Sequence, residues 1–358
     1  MDMQRTDSLA TRRQNILSML LDSKLGISLL SIFLSLVVLA IFSLLYGANP
    51  FLVIRSLFIG AFNGELALAL TLTQMAPLIL TALAVYIPIK VGFFNVGAQG
   101  QLEVAALAAV FVGTNIVTNP FLAIVIMMLV AVSVGMLAVL VPLLLKVKRG
   151  TNEVTTTIMM NFACLNFVNA LVTGTLRNPD AGYGTTRRIP VEYMLPSIPP
   201  GSRFHIGILI CILIALGVGW YMKNAAGGIR LKAVGMNREA AAVAGINAKA
   251  VTFRAVLFGG ALAGFAGGMQ VIGVTQRVAL GWSLPWGFTG LSIAFLAPSP
   301  EMIIVVALFM ATLDTGSRFM QAMTGVPSPM VSIMQGVPVI LFVVLSAYKR
   351  IRELKHKK

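Results

Sequence analysis

Long apolar runs separated by short polar segments constrain this chain more than any other feature of its sequence. The first run extends from Gly26 to Tyr46, about the twenty residues that an α-helix needs to cross a bilayer. Similar runs recur along the chain, in which 58% of the 358 residues are hydrophobic and 11% are charged. Because backbone in hydrocarbon must satisfy its own hydrogen bonds, such runs predict transmembrane helices. The expected fold is an all-α polytopic membrane protein.

About ten transmembrane or re-entrant helices are predicted. Residues 47–64 read as an external connection with a short interfacial helix, and about a dozen apolar positions at 286–297 are too few to cross alone, which indicates a half-helix or re-entrant segment. The other full spans are placed at 65–86, 92–112, 120–145, 150–176, 204–222, 255–275, 302–323 and 331–347.

After the first helix, the predicted spans form two quartets of opposite orientation. The second member of each quartet is irregular: it is glycine-rich at 92–100 in the first and short at 286–297 in the second. Irregular segments at matching places of inverted halves indicate a substrate path near the membrane midplane.

The charge pattern orients these spans. The chain has 27 Lys and Arg against 12 Asp and Glu, a formal net charge of +15. Most of the cations fall in an N-terminal arm (1–25), a central loop (223–254) and a tail (348–358). The positive-inside rule then places both termini in the cytoplasm and accounts for the charge without nucleic acid. A single permease domain is expected at 26–347, with its longest external loop at 177–203.

The residue pattern of the central loop 223–254 predicts a short capped helix. Asn237 suits an N-cap, Arg238–Ala244 are good helix formers, and Gly245 suits the C-terminal cap. A helix of about two turns is too short to cross a bilayer. It either presses against a soluble partner or belongs to an ordinary basic cytoplasmic loop, and spacing alone leaves both open.

Polar residues inside the predicted spans mark candidate contacts with a solute. Asn95, Gln99 and Glu103 recur at i, i+4 and i+8, which is one face of a helix, and Glu153, Thr157 and Asn161 do the same. The alternative role is interhelical hydrogen bonding. Uncharged amides and hydroxyls favour a neutral solute, whereas Glu103 could couple a proton or sodium ion. The predicted pathway residues are Asn95, Gln99, Gln101, Glu103, Thr157, Asn161 and Asn166.

Several enzymatic readings find no support in the sequence. No G-x-x-x-x-G-K-[ST] motif occurs, so the chain is not expected to bind ATP itself, and no metal-binding or nucleophile motif occurs. Cys164 and Cys211 lie in apolar runs and form no disulfide framework. Asp314 and Arg318, spaced i and i+4, are expected to pair with each other. Neither catalytic residues, nor a cofactor, nor a metal site is predicted.

Four motifs in order carry a family resemblance over about residues 65–345. They are Phe94–Gln101 (FNVGAQGQ), Gly150–Asn161 (GTNEVTTTIMMN), Arg230–Ile246 and Gly287–Leu296 (GFTGLSIAFL). Together they resemble motifs of ABC-importer permeases in the branched-chain amino acid, ribose and nucleoside superfamily, with the second typical of the nucleoside and simple-sugar branch. Gln99 stands where that family usually has Glu, and Glu103 where it is commonly apolar.

The resemblance implies a transport subunit of the bacterial cytoplasmic membrane. Such permeases pair with a second permease, dock on a subunit that binds ATP and Mg²⁺, and receive solute from an extracytoplasmic binding lipoprotein. The loop 177–203, with Arg187 and Arg188, would dock the binding protein. A nucleoside is favoured as solute, with a simple sugar as the alternative; a self-sufficient ion-coupled carrier would instead need Glu103 or Glu153. The residues expected to contact the ATP-binding subunit are Asn237, Arg238, Glu239, Ala240, Ala241 and Gly245.

Overall fold

The computed structural model describes residues 23–198 and 204–356, and their regular structure is helical. This confirms the predicted all-α fold. The α-helices are α1 (Lys24–Leu45), α2 (Pro50–Phe62), α3 (Glu65–Ile89), α4 (Ala98–Asn115), α5 (Pro120–Arg149), α6 (Glu153–Thr173), α7 (Gly207–Asn224), α8 (Ala226–Met236), α9 (Arg238–Val243), α10 (Ala248–Gln270), α11 (Trp286–Leu296), α12 (Pro300–Thr324) and α13 (Pro329–His356).

Eight helices in the described part of the chain are long and apolar enough to cross a membrane, as expected of a multi-pass membrane protein. The short apolar helices in the described part of the chain are α2 and α11, which confirms that the segment predicted at 286–297 forms a short helix. The predicted span at 92–112 differs from expectation, because helix begins only at Ala98 and the preceding residues form turns. Most of the predicted N-terminal arm, residues 1–22, lies outside the described residues.

Local sequence sets several helix boundaries. Asn119 precedes Pro120, and its side chain accepts a hydrogen bond from the Phe121 amide at 2.9 Å. Proline suits the first helical position because its missing N–H would have no partner there. At the other end of α5, Gly150 adopts a φ of +66°, the left-handed conformation that ends helices.

The larger of two compact units comprises residues 64–294 and 299–311, and α10 is its central helix. Three neighbours approach α10 at glycines. Gly264 lies against the Ala131 carbonyl of α5, Gly267 against the Leu102 carbonyl of α4, and Gly259 against Ala84 of α3. Small residues permit such close backbone contact, which is how helices associate in lipid.

The smaller unit comprises residues 23–63, 295–298 and 312–356 of the described chain. In it, α2 meets α12 where Gly316 contacts the Leu57 carbonyl. The predicted pairing of Asp314 with Arg318 is wrong: the Asp314 carboxylate accepts a hydrogen bond at 2.5 Å from the Gln335 amide of α13, and Arg318 is exposed. The half-buried carboxyl of Asp314 thus finds a buried donor on another helix in preference to the exposed cation on its own helix.

The close contacts of α10 predict opposite effects for two alanine substitutions. Alanine favours a helix over glycine by about 1 kcal/mol, and a methyl group at Gly217 on α7 meets open space. A methyl at Gly267 would overlap the Leu102 carbonyl oxygen, and overpacking costs about 1–3 kcal/mol. We therefore expect Gly267→Ala to lower the thermal unfolding midpoint in detergent, and Gly217→Ala to keep or raise it. Equal midpoints would contradict the packing described for α10.

Candidate functional site

The segment before α4 is held by a pair of buried amides. The Asn95 Nδ2 group donates to Gln101 Oε1 at 3.1 Å, and Gln101 Nε2 donates to Asn95 Oδ1 at 3.0 Å. Asn95 Oδ1 also accepts from the Gly97 amide at 3.2 Å. The predicted helical stripe is thus wrong for Asn95, which lies in the turn before α4 because the chain bends at Gly92, whose φ is +76°. The amide pair fixes this irregular backbone.

Gln99 and Glu103 bind the segment that leads into the half-helix α11. The Gln99 Oε1 atom accepts from the Gly287 amide at 2.7 Å, and Gln99 Nε2 lies 2.8 Å from Ser283 Oγ. The Ser283 hydroxyl donates to the buried Glu103 carboxylate, and Gln99 Nε2 lies 3.1 Å from the same oxygen. Glu103 therefore serves as a hydrogen-bond acceptor inside the protein.

Side chains of α3 complete the attachment of α11. The Trp286 indole N–H donates to Gln74 Oε1 at 2.9 Å, and the Thr81 hydroxyl lies 3.0 Å from the Trp286 carbonyl oxygen. Gly290 allows the contact, since a Cβ there would overlap the Thr81 side chain. The sequence analysis missed Gln74, Thr81 and Ser283, for which no local spacing provides a signal.

On α6, Thr157 and Asn161 face α4 and its preceding turn. The Thr157 hydroxyl donates to the Glu153 carbonyl at 2.7 Å and lies 3.3 Å from the Val96 amide. Asn161 Oδ1 accepts from the Gly100 amide at 2.5 Å. Asn161 Nδ2 is buried and has no hydrogen-bond partner in the described part of the chain. Among the predicted pathway residues, Asn161 keeps an unused donor.

Asn166 lies apart from this cluster. It is exposed, and its amide donates to the Phe162 carbonyl of its own helix at 2.8 Å. Glu153, at the start of α6, forms an ion pair of 2.7 Å with Lys146 at the end of α5.

The structure thus brings together six of the seven predicted pathway residues. Asn95 pairs with Gln101 and Gln99 with Glu103, whereas Thr157 and Asn161 bond to backbone groups of α4 and the turn before it. We call this cluster the polar lock.

The short helix of the central loop has the predicted caps. The Asn237 side chain accepts from the Glu239 and Ala240 amides, both at 3.0 Å, and Gly245 has a φ of +78°. Ala241 is buried against the protein, whereas Arg238, Glu239, Ala240 and Gly245 are exposed.

Two apolar side chains flank the exposed surface of α9. Met236 is 88% exposed and Val243 is 91% exposed. The sequence analysis missed both, because the sequence alone does not tell whether an apolar residue in a basic loop is buried or exposed. Both exposed side chains therefore lie next to or on α9 in the cationic central loop.

Backbone hydrogen bonds fasten the long loop that was predicted to be external to the segment that follows α10. The Thr186 amide donates to Val278 at 2.9 Å, and the Leu195 amide donates to Ile272 at 2.8 Å. Arg187 and Arg188 remain exposed on this fastened loop. Residues 199–203 of the predicted loop lie outside the described part.

Two apolar cavities lie in the larger unit. One, of about 660 Å³, is bounded by α3, α7, α8 and α10. The other, of about 430 Å³, is bounded by α4, α5 and α6. Neither is lined by any of the seven predicted pathway residues.

Known proteins resemble this chain along most of its length. The family described as branched-chain amino acid transport system / permease component matches residues 67–344. A guanosine ABC transporter permease protein of Bacillus subtilis is 30% identical over 333 residues, covering 91% of this chain and 94% of the relative. A nucleoside ABC transporter permease protein of Lactococcus lactis is 30% identical over 331 residues, covering 89% and 90%. A glucose ABC transporter permease protein of Haloferax volcanii is 29% identical over 307 residues, covering 83% and 81%.

The acceptor role of Glu103 predicts different outcomes for two substitutions. Glu103→Gln keeps an oxygen for the Ser283 hydroxyl, so its unfolding midpoint in detergent should stay close to that of the parent. Glu103→Leu removes the acceptor of the Ser283 hydroxyl, whereas Gln99 Nε2 keeps Ser283 Oγ and the Leu284 carbonyl as acceptors. A buried donor without an acceptor costs about 1–3 kcal/mol, so this variant should unfold at clearly lower temperature. Asn166→Leu, at an exposed site, is the control. Equal midpoints for the Leu and Gln variants at 103 would contradict this role.

Proposed function

This chain belongs to the family of branched-chain amino acid transport system permease components, and on that premise we propose that it imports a nucleoside as the membrane-spanning subunit of an ATP-driven transporter. The family match over residues 67–344 carries the proposal. The chain is a non-enzymatic transport subunit, and the sequence contains no phosphate-binding G-x-x-x-x-G-K-[ST] motif. Energy would come from a separate subunit that hydrolyses ATP with Mg²⁺.

In our proposal, α9 docks on the ATP-binding subunit. Asn237, Arg238, Glu239, Ala240, Ala241 and Gly245 build this capped helix, and the exposed Met236 and Val243 add apolar contact area. Ala241 is buried, and α9 contacts α8 and α10; in our proposal a push on α9 reaches the transmembrane helices through these contacts. Closure of the ATP-binding subunits would then shift the permease between outward- and inward-open states.

A nucleoside is the proposed solute on two grounds. The relatives from Bacillus subtilis and Lactococcus lactis are named for guanosine and nucleoside transport. The polar cluster around α4 consists mainly of amides and hydroxyls, and the unused Asn161 Nδ2 donor suits a neutral ligand with carbonyl or hydroxyl groups. A simple sugar is the second candidate, because the Haloferax volcanii relative is named for glucose.

Two further partners complete the proposed importer. Six of the seven predicted pathway residues are buried within one chain, so we propose that a path opens on movement against a second permease, in a heterodimer. An extracytoplasmic solute-binding lipoprotein would dock on the external loop through Arg187 and Arg188, whose exposed guanidinium groups suit an acidic surface. The assembly would lie in the bacterial cytoplasmic membrane with both termini inside.

Both carboxylates that an ion-coupled carrier would need are engaged in other contacts. Glu153 is ion-paired with Lys146 at 2.7 Å, and Glu103 accepts hydrogen bonds from Ser283 and Gln99. Neither carboxylate is free to bind and release an ion without breaking these contacts.

Uptake by reconstituted vesicles tests the proposed function. We expect guanosine uptake when the chain is combined with a second permease, an ATP-binding subunit and a solute-binding protein from the same organism, and only with ATP. Glu103→Gln should retain this uptake. Accumulation by the chain alone under a proton or sodium gradient, abolished by Glu103→Gln, would contradict the proposal, and ATP-driven uptake of glucose but not guanosine would favour the sugar.

Replacing Gly245 should separate ATP hydrolysis from transport. Valine is strained at a positive φ, so Gly245→Val should distort the end of α9 and lower the solute moved per ATP hydrolysed. Gly281→Val is the matched control, because Gly281 has a φ of +64° and similarly open surroundings but lies outside the central loop. An unchanged solute-to-ATP ratio in Gly245→Val would argue against docking through α9.

A further inference from the structure

The cavity of about 660 Å³ is a groove with an apolar floor in a region that the proposed transport path does not use. Val218, Met222, Leu231 and Ala255 form buried parts of its wall. Its size falls in the range of about 300–1,000 Å³ that is common for small-molecule sites.

The groove runs along α7 from the end of that helix towards its middle. Ile214, Val218 and Tyr221 recur at i, i+4 and i+7 and so share one face of α7. Ile214 lies ten residues before Asn224, the last residue of the span, which corresponds to about 15 Å at 1.5 Å per residue. The apolar groove therefore extends from the last residue of this candidate span towards its middle.

Two arginines supply the charge at the boundary end of this groove. Arg230 on α8 and Arg254 on α10 line the cavity, and its lining contains no acidic residue. The nearby Lys223 is paired with Glu301 at 2.8 Å. In contrast, neither arginine forms an ion pair within the described residues, so two exposed guanidinium groups remain uncompensated there.

We propose that this groove binds one anionic phospholipid. The phosphate lies between Arg230 and Arg254, and an acyl chain lies along the α7 face towards Ile214. The two arginines match the anionic headgroup of a phospholipid, and the apolar wall of the groove matches its acyl chain. Basic pockets between transmembrane helices are known to bind anionic headgroups. The proposal rests on the proposed orientation, in which the central loop faces the cytoplasmic leaflet, where anionic lipids attract such segments.

Glycine at position 217 allows the apolar part of the site to be tested separately from the charges. Gly217 lines the groove, and a Cβ added there meets no atom within 4 Å. Leucine at this position would occupy the groove while leaving both arginines in place. Because leucine favours helix over glycine, Gly217→Leu is expected to fold.

The experiment measures binding of phosphatidylglycerol to the purified full chain in non-ionic detergent by native mass spectrometry. We expect wild type to bind one phosphatidylglycerol in preference to phosphatidylcholine. The double variant Arg230→Gln/Arg254→Gln and the single variant Gly217→Leu should each bind it at least about tenfold more weakly. Lys232→Gln/Lys249→Gln removes two exposed cations of the same loop that do not line the groove, and it should bind as wild type does.

Several results would overturn the proposal. Equal binding of phosphatidylcholine would show that charge does not select the lipid, and equal loss in the Lys232 and Lys249 control would show diffuse attraction. Competition by inorganic phosphate as strong as that by phosphatidylglycerol would indicate a free-anion site. Unchanged binding in Gly217→Leu would exclude the groove even if the double arginine variant failed to fold. The measurement uses neither ATP nor solute, so it is decided independently of whether transport itself occurs as proposed.

Discussion

In a bilayer, apolar side chains gain little by leaving lipid for protein, so helices associate by close packing and by hydrogen bonds between them. Helix α10 meets this constraint with glycines that face three neighbours. Gly264 contacts α5 at Ala131, Gly267 contacts α4 at Leu102, and Gly259 contacts α3 at Ala84. These contacts pack α3 and α4 against the same helix. The polar lock and side chains of α3 together hold α11, so the position of α11 depends on this packing.

The polar lock supplies hydrogen bonds to backbone groups of the interrupted helices. A half-helix and an interrupted segment before α4 leave backbone groups without helical partners, and such groups are costly in hydrocarbon. Gln99 accepts from the Gly287 amide, and the pair of Asn95 and Gln101 holds the turn before α4. The buried polar residues are therefore explained first as structural, and a solute would meet them only as the helices move.

The two ends of the larger unit are built differently. At one end, the long loop is fastened to the segment that follows α10 by backbone hydrogen bonds at Thr186 and Leu195. On the side of the central loop, α9 stands exposed and is joined to its surroundings through Ala241. In the proposed mechanism this contrast lets α9 receive a push while the outer loop keeps a fixed surface for a binding protein.

Local signals in the sequence predicted local structure well. The caps of α9 and the short helix α11 are confirmed, because capping and helix length depend on neighbouring residues. The family resemblance carried by four motifs is also confirmed. Hydrogen-bond partners distant in sequence were not predictable. Ser283 is 184 residues from its partner Gln99, and Asp314 binds Gln335 rather than the predicted Arg318. The assigned roles of the pathway and docking residues stay predictions.

The account depends most on α9 facing the cytoplasm and lying under the ATP-binding subunit. Labelling of Val243→Cys with a membrane-impermeant maleimide measures this directly, because Val243 is 91% exposed while the native Cys164 and Cys211 are buried. We expect labelling in inside-out vesicles stripped of the ATP-binding subunit, protection when that subunit is restored, and no labelling in right-side-out vesicles. Labelling from the outside, or labelling unaffected by the ATP-binding subunit, would contradict the account.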